Sequence, residues 1–139
     1  VWERNAGRAH GAEGYVVIDP AADMRTDYRL ICDVSGDAAL LDSLVARLAP
    51  GGGIVLAGFY NEPVTFSFAP AFMREIDLAV AAEWQPRDLQ RVLGMVRDGS
   101  LSLRGLISHR ASPADAASCY PIAFEDSDCL KMVLDWSSL

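Results

Sequence analysis

Apolar and polar positions along this chain come in blocks. Apolar runs at residues 1–3, 15–18, 30–34, 53–57 and 78–82 are too short for helices, and they lack the strict period of two that marks a strand with one wet face. Such runs read as strands covered on both faces, the condition of strands in a parallel sheet. Stretches of helical period alternate with them, so the order of blocks predicts β-α units around a parallel sheet.

The clearest helix is "GDAALLDSLVARLAPGG", where Leu40, Leu41, Leu44, Val45 and Leu48 share one face. Asp37 is placed to cap its start, and Pro50 with the glycines behind it to stop it. A second helix, "PRDLQRVLGMVRDGSL", carries Leu89, Val92, Leu93 and Val96 on one stripe, with Gly99 as its C-terminal cap. Both stripes are expected to pack on the sheet. In "ISHRASPADAASCY", Ser112 before Pro113 and Asp115 predicts a third helix start, Pro121 should end or kink that helix, and "CLKMVLDW" reads as a final strand. The chain holds no internal repeat and no low-complexity segment.

Composition narrows the function classes. At 139 residues and 51% apolar, the chain is one domain in size and globular in character. A net charge of -7, from 12 Lys and Arg that do not cluster, argues against binding nucleic acid. No apolar stretch approaches the roughly 20 residues of a spanning helix, so no membrane span is expected and the chain reads as cytoplasmic. Cys32, Cys119 and Cys129 have no CxxC spacing, which points to buried, reduced thiols rather than disulfides or a zinc knuckle.

Candidate chemistry gathers where strands end. Glu3 follows the first apolar run; an acid there is either a solvated carboxylate or one that accepts hydrogen bonds from a ribose and repels a 2′-phosphate. "CDVSGD" and "LAGFY" put Gly36 and Gly58 at the carboxyl edge of the sheet, either for turn geometry or for close approach of a ligand. Lys131 stands among apolar residues, where its amine snorkels to solvent or meets an anion. His10 and His109 lack partners at metal-ligand spacing, and no Gly-x-Ser-x-Gly elbow is present. Trp84 and Trp136 suit core or interface packing, or a flat ligand.

Taken in order, "VWERNAGRAHGAEGYVVIDP", "YRLICDVSGDAALLDSLVARLAPGGGIVLAGF", "QPRDLQRVLGMVRDGSLSLRGLISHR" and "CLKMVLDW" resemble the later half of the medium-chain, zinc-type alcohol dehydrogenases, over essentially the whole chain. "GFYNEPVTFSF", "PAFMREIDLAVAAEW" and "CLKMVLDW" resemble, more narrowly, the branch that oxidises the 3-(1-hydroxyethyl) group of a bacteriochlorophyllide, a chlorin-type macrocycle, to 3-acetyl with NAD in bacteriochlorophyll biosynthesis. The rival is a methyltransferase that binds S-adenosylmethionine, since "ARLAPGGGIVLAGF" also fits that fold; antiparallel C-terminal strands would favour it. A third reading is a non-catalytic oligomerisation module.

The dehydrogenase resemblance implies an α/β fold: an incomplete Rossmann-like, doubly wound parallel sheet lacking its first strand, plus a C-terminal helix-strand segment. Residues 1–108 would form the partial NAD-binding domain, and residues 109–139 would return toward the catalytic domain. By position, Glu3 would hold the adenosine ribose and Arg8 would lie beside the adenosine. Val34, Ser35 and Gly36 would pass the riboses, Gly58 and Phe59 would flank the nicotinamide, and Lys131 would meet the pyrophosphate. The family's zinc, GxGxxG turn and first strand lie N-terminal to this segment, so no residue here is assigned to the chemical step or to a metal. The chain alone is expected to be inactive and to bind NAD weakly. The family also implies a homo-oligomer, with the strand at residues 78–82 on a sheet edge. In the order 3-2-1-4-5-6 the missing strand is central, which predicts a rearranged sheet, a swapped or dimeric pairing, or a disordered start up to about Gly14.

Overall fold

The structure is a computed structural model and describes residues 1–9 and 14–138. These residues group into two compact units, one of residues 24–84 and one formed by residues 1–23 together with the chain from residue 85 onward.

In the unit of residues 24–84, the elements run β1 (Tyr28–Asp33), α1 (Leu41–Arg47), β2 (Leu48–Leu56), α2 (Phe68–Met73) and β3 (Asp77–Val80). The strands form one parallel sheet in the order β1-β2-β3, with Asp33 opposite Leu56 and Leu56 opposite Val80. The core is the stripe seen in the sequence: Leu41, Leu44 and Val45 of α1 are buried with Leu48, Ile54 and Leu56 of β2. Of the outcomes expected for a sheet without its first strand, rearrangement is not seen here. The three strands keep their sequential order, and β1 pairs within this sheet with β2 alone.

Both ends of α1 differ from the expected helix. Asp37 does not cap it: the Asp37 carboxylate accepts from the Ala39 N–H at 2.9 Å and its carbonyl from the Leu40 N–H at 3.2 Å. That closes a turn first, and the helix starts at Leu41. At the other end the backbone becomes extended at Leu48, so Pro50 and the glycines lie within β2. Gly51 takes φ +69°, and Arg74 clasps this bend, its carbonyl accepting from the Gly51 N–H at 2.7 Å and its guanidinium donating to the Leu48 carbonyl at 2.7 Å.

In the second unit, the strands expected at residues 1–3 and 15–18 reduce to one parallel bridge between Trp2 and Ile18. Two backbone hydrogen bonds flank it, Glu3 N–H to Ile18 at 3.1 Å and Ile18 N–H to Val1 at 3.0 Å. The Trp2 indole donates to the buried Asp23 carboxylate at 2.7 Å, which ties the pair to the following turn. α3 (Pro86–Arg97) begins where the Gln85 N–H donates to Asp88 at 2.8 Å, and Gly99 just beyond its end takes φ +79°. Its apolar stripe does not pack as expected: Leu89, Val92, Leu93 and Val96 stay 36–48% exposed. Helical period identifies which face is apolar but not what covers it.

β4 (His109–Ala111) and β5 (Met132–Leu134) pair in parallel, with α4 (Ala116–Glu125) between them in the chain. The Ser112 hydroxyl accepts from the Ala114 N–H at 3.3 Å, opening a 3₁₀ turn over Pro113–Asp115 that leads into α4. Pro121 does not end α4, which runs on to Glu125. The parallel pairing of β4 with β5 is also not the antiparallel arrangement that would favour the methyltransferase reading. Cys119 and Cys129 are buried, as expected, but Cys32 is exposed on β1.

Candidate functional site

The carboxyl edge of the three-stranded sheet carries two turns. One follows β1 with Val34, Ser35 and Gly36; the other follows β2 with Gly58, Phe59 and Tyr60. Asp33, the last residue of β1, organises the first. It is buried, and one carboxylate oxygen accepts from the Ser35 N–H at 2.9 Å while the other accepts from the Tyr60 hydroxyl at 2.9 Å. Its carbonyl accepts from the Ala57 N–H at 2.8 Å and from the same hydroxyl at 3.3 Å. The Ser35 hydroxyl in turn accepts from the Asp37 N–H at 3.1 Å.

The two turns approach backbone to backbone. Gly36 takes φ +74°, and a Cβ on it would lie 2.5 Å from the Phe59 carbonyl oxygen; a Cβ on Gly58 would lie 2.8 Å from the Gly36 nitrogen. Both glycines are therefore required by the contact between the turns, a reason that neither local turn geometry nor ligand approach had supplied. Val34 and Phe59 stay 69% and 95% exposed at this edge. Beside them is an open groove of about 540 Å³, bordered by Gly36, Asp37, Asn61 and Glu62.

Burial pushes the Tyr60 hydroxyl up to about 12, and the hydrogen bond to Asp33 with its negative charge acts in the same direction. Tyr60 is thus a proton donor throughout the physiological range. Sequence reasoning passed over both Asp33 and Tyr60. Each sits inside a stretch it quoted, but 27 residues separate them, and only the parallel pairing of β1 with β2 brings them together.

The other expected residues lie in the second unit. Glu3 is half-buried, and its carboxylate accepts from the Asn5 N–H at 2.8 Å. The Asn5 side chain accepts from the Gly7 N–H at 2.8 Å and donates to the Ser127 carbonyl at 3.1 Å and to Asp128 at 2.9 Å. Arg8 joins this cluster through Nε, which donates to the Ser127 carbonyl. Lys131 is exposed just before β5, and its backbone bonds to Ser108 and His109 at 3.1 Å. Trp84 and Trp136 are exposed, His109 lies within 2.9 Å of the Ser108 hydroxyl, and His10 lies outside the described residues. Among the described residues no group of three or more His, Cys, Asp or Glu is placed to hold a metal ion.

The two turns lie at the carboxyl edge of a parallel α/β sheet, the position at which open α/β sheets bind their ligands. A solved alcohol dehydrogenase from Escherichia coli CFT073, complexed with NADH, shares the fold: it superposes with a TM-score of 0.78 at 18% identity, over 97% of this chain and 43% of that one. Among curated proteins, the 2-desacetyl-2-hydroxyethyl bacteriochlorophyllide A dehydrogenase of Cereibacter sphaeroides is 59% identical over 136 residues, and that of Rhodobacter capsulatus is 57% identical over 136 residues. The matches take in 98% of this chain and 43% of each relative, so the chain is a homologue of these dehydrogenases over the part of their length that it spans. No family model matches.

Proposed function

We propose that the chain forms the NAD-binding part of a dehydrogenase that oxidises the 3-(1-hydroxyethyl) group of a bacteriochlorophyllide to 3-acetyl. The observation that carries this reading is identity of 57–59% along nearly the entire chain to two dehydrogenases named for that substrate. In the reaction the alcohol carbon gives up its hydrogen with the electron pair and the hydroxyl gives up its proton, leaving a carbonyl. Bound NAD supplies the hydride acceptor, and each turnover yields NADH and one proton.

The chain's own residues bind and orient. The carboxyl-edge turns suit a flat, polar ligand: the groove beside them is open, and Val34 and Phe59 stay exposed at this edge. There Val34, Ser35 and Gly36 would pass the riboses, and Gly58 with Phe59 would flank the nicotinamide. Glu3 would select NAD over NADP by accepting from the ribose hydroxyls and repelling a 2′-phosphate, with Arg8 beside the adenosine and Lys131 at the pyrophosphate. Residues 1–108 would make up the cofactor domain, and residues 109–139 would lead toward a catalytic domain. The family's zinc is expected in that catalytic domain.

The test is conversion by the full-length protein that carries this chain, given the 3-(1-hydroxyethyl) bacteriochlorophyllide and NAD. The expected product is lighter by two hydrogens and forms in step with NADH. Unchanged substrate with NAD, beside conversion with another electron acceptor, would overturn the reading. A homo-oligomeric state is part of the same reading, favoured by β3, all four of whose residues are exposed on the sheet's last strand. Light scattering tests it, and a monomer at all concentrations would count against it.

A further inference from the structure

We infer that the Asp33–Tyr60 pair is a positioning lock, which joins the turn after β1 to the turn after β2 so that they act as one rigid ledge. Neither residue needs to touch a ligand for this. The consequence for cofactor affinity rests on the NAD-binding reading above; the lock itself does not.

Three observations converge on it. Asp33 is buried at the point where β1 ends, and its carboxylate is divided between the turns: one oxygen holds the Ser35 N–H and the other the Tyr60 hydroxyl, each at 2.9 Å. The Asp33 carbonyl repeats the bridge, accepting from Ala57 N–H at 2.8 Å and from the same hydroxyl at 3.3 Å. The glycine contacts show why a lock is needed. Gly36 and Gly58 meet backbone to backbone, so neither offers a side chain to hold that contact in register. Directional hydrogen bonds to a carboxylate supply that register instead.

A phenol that remains protonated is suited to this work, because it donates without competing for a proton with the acid it holds. Tyr60 also reaches back from beyond Phe59, so the backbone of Phe59, between Gly58 and Tyr60, is held on both sides. A ledge fixed before ligand arrives loses less conformational entropy on binding than one that must be ordered. The lock would therefore act on affinity without contributing a contact.

Amide hydrogen exchange of the chain separates a lock from general stabilisation. Tyr60→Phe removes only the hydroxyl. Exchange at Ser35 and Ala57 should rise roughly 10-fold more than at Ile54 and Leu56 within β2, and NAD should bind several-fold more weakly. Should that variant fail to fold, Asp33→Asn serves the same purpose, because it keeps the shape of the side chain but removes the charge that strengthens its bonds to Ser35 and Tyr60. Equal change at all four amides would overturn the lock, and a selective change with NAD affinity intact would overturn its effect on affinity. Wild-type chain that binds no NAD, with selective exchange in the variant, would sink the cofactor reading and leave the lock standing. NAD bound alike by both proteins, with no selective exchange, would do the reverse.

Discussion

A methyl group on Gly36 would have to occupy space 2.5 Å from the Phe59 carbonyl oxygen, at a φ of +74° that side chains rarely adopt. Gly36→Ala should therefore cost about 2 kcal/mol or more, read as a lowered denaturant midpoint. Gly94 lies within α3, where an added Cβ meets nothing within 4 Å, so Gly94→Ala should be neutral or stabilise by up to about 1 kcal/mol. Tyr60 gives a pH signature. Its folded pKa of about 12 lies above the ordinary value of 10.0, so its contribution to stability is complete below pH 10 and is lost as pH rises toward 12. Asp33 is the charge that faces it at hydrogen-bond distance, with Cys32 close by; in Tyr60→Phe this part of the alkaline decline should disappear from an unfolding series. Glu3, Gly36 and Gly58 were legible as candidates because strand ends and glycines stand out in a sequence. Asp33 and Tyr60 were not, because their relation is set by strand pairing.

Helices α1 and α3 show the same limit one level up. Both have apolar residues at helical spacing, and both stripes were legible. Yet Leu41, Leu44 and Val45 of α1 are buried against β2, while the α3 stripe remains half exposed. Periodicity reports an element's own symmetry, and burial depends on the neighbour that meets it. Truncation should separate the two cases: Leu48→Ala, at a fully buried position where α1 gives way to β2, should cost about 2–4 kcal/mol. Leu89→Ala, on a side chain 48% exposed, should cost less than about 1 kcal/mol. Chemical denaturation of the two variants reads both. The ends of α1 were illegible for a local reason: Asp37 closes a turn on Ala39 and Leu40 before the helix begins, and Pro50 is accommodated in a strand.

At the scale of the whole molecule, the order of strands and helices carried the most information. The parallel sheet and its α1–β2 core follow from blocks visible in the sequence, whereas the β4 strand does not and β3 is exposed rather than covered; the resemblance drawn from those blocks agrees with relatives 57–59% identical. Strand count was overestimated where the runs were shortest. Three residues at the start of the chain pair through a single bridge at Trp2, because so short a run has few backbone groups to offer a ladder. The net charge of -7 fits a partner other than a phosphate polymer. The central claim is that the bare carboxyl edge of this sheet binds NAD, and backbone amide shifts during NAD titration of the chain measure it most directly. The account predicts shifts concentrated at Val34, Ser35, Gly36, Gly58 and Phe59, with NADP producing weaker changes. No shift at these amides with NAD, beside a saturable response to S-adenosylmethionine, would contradict it.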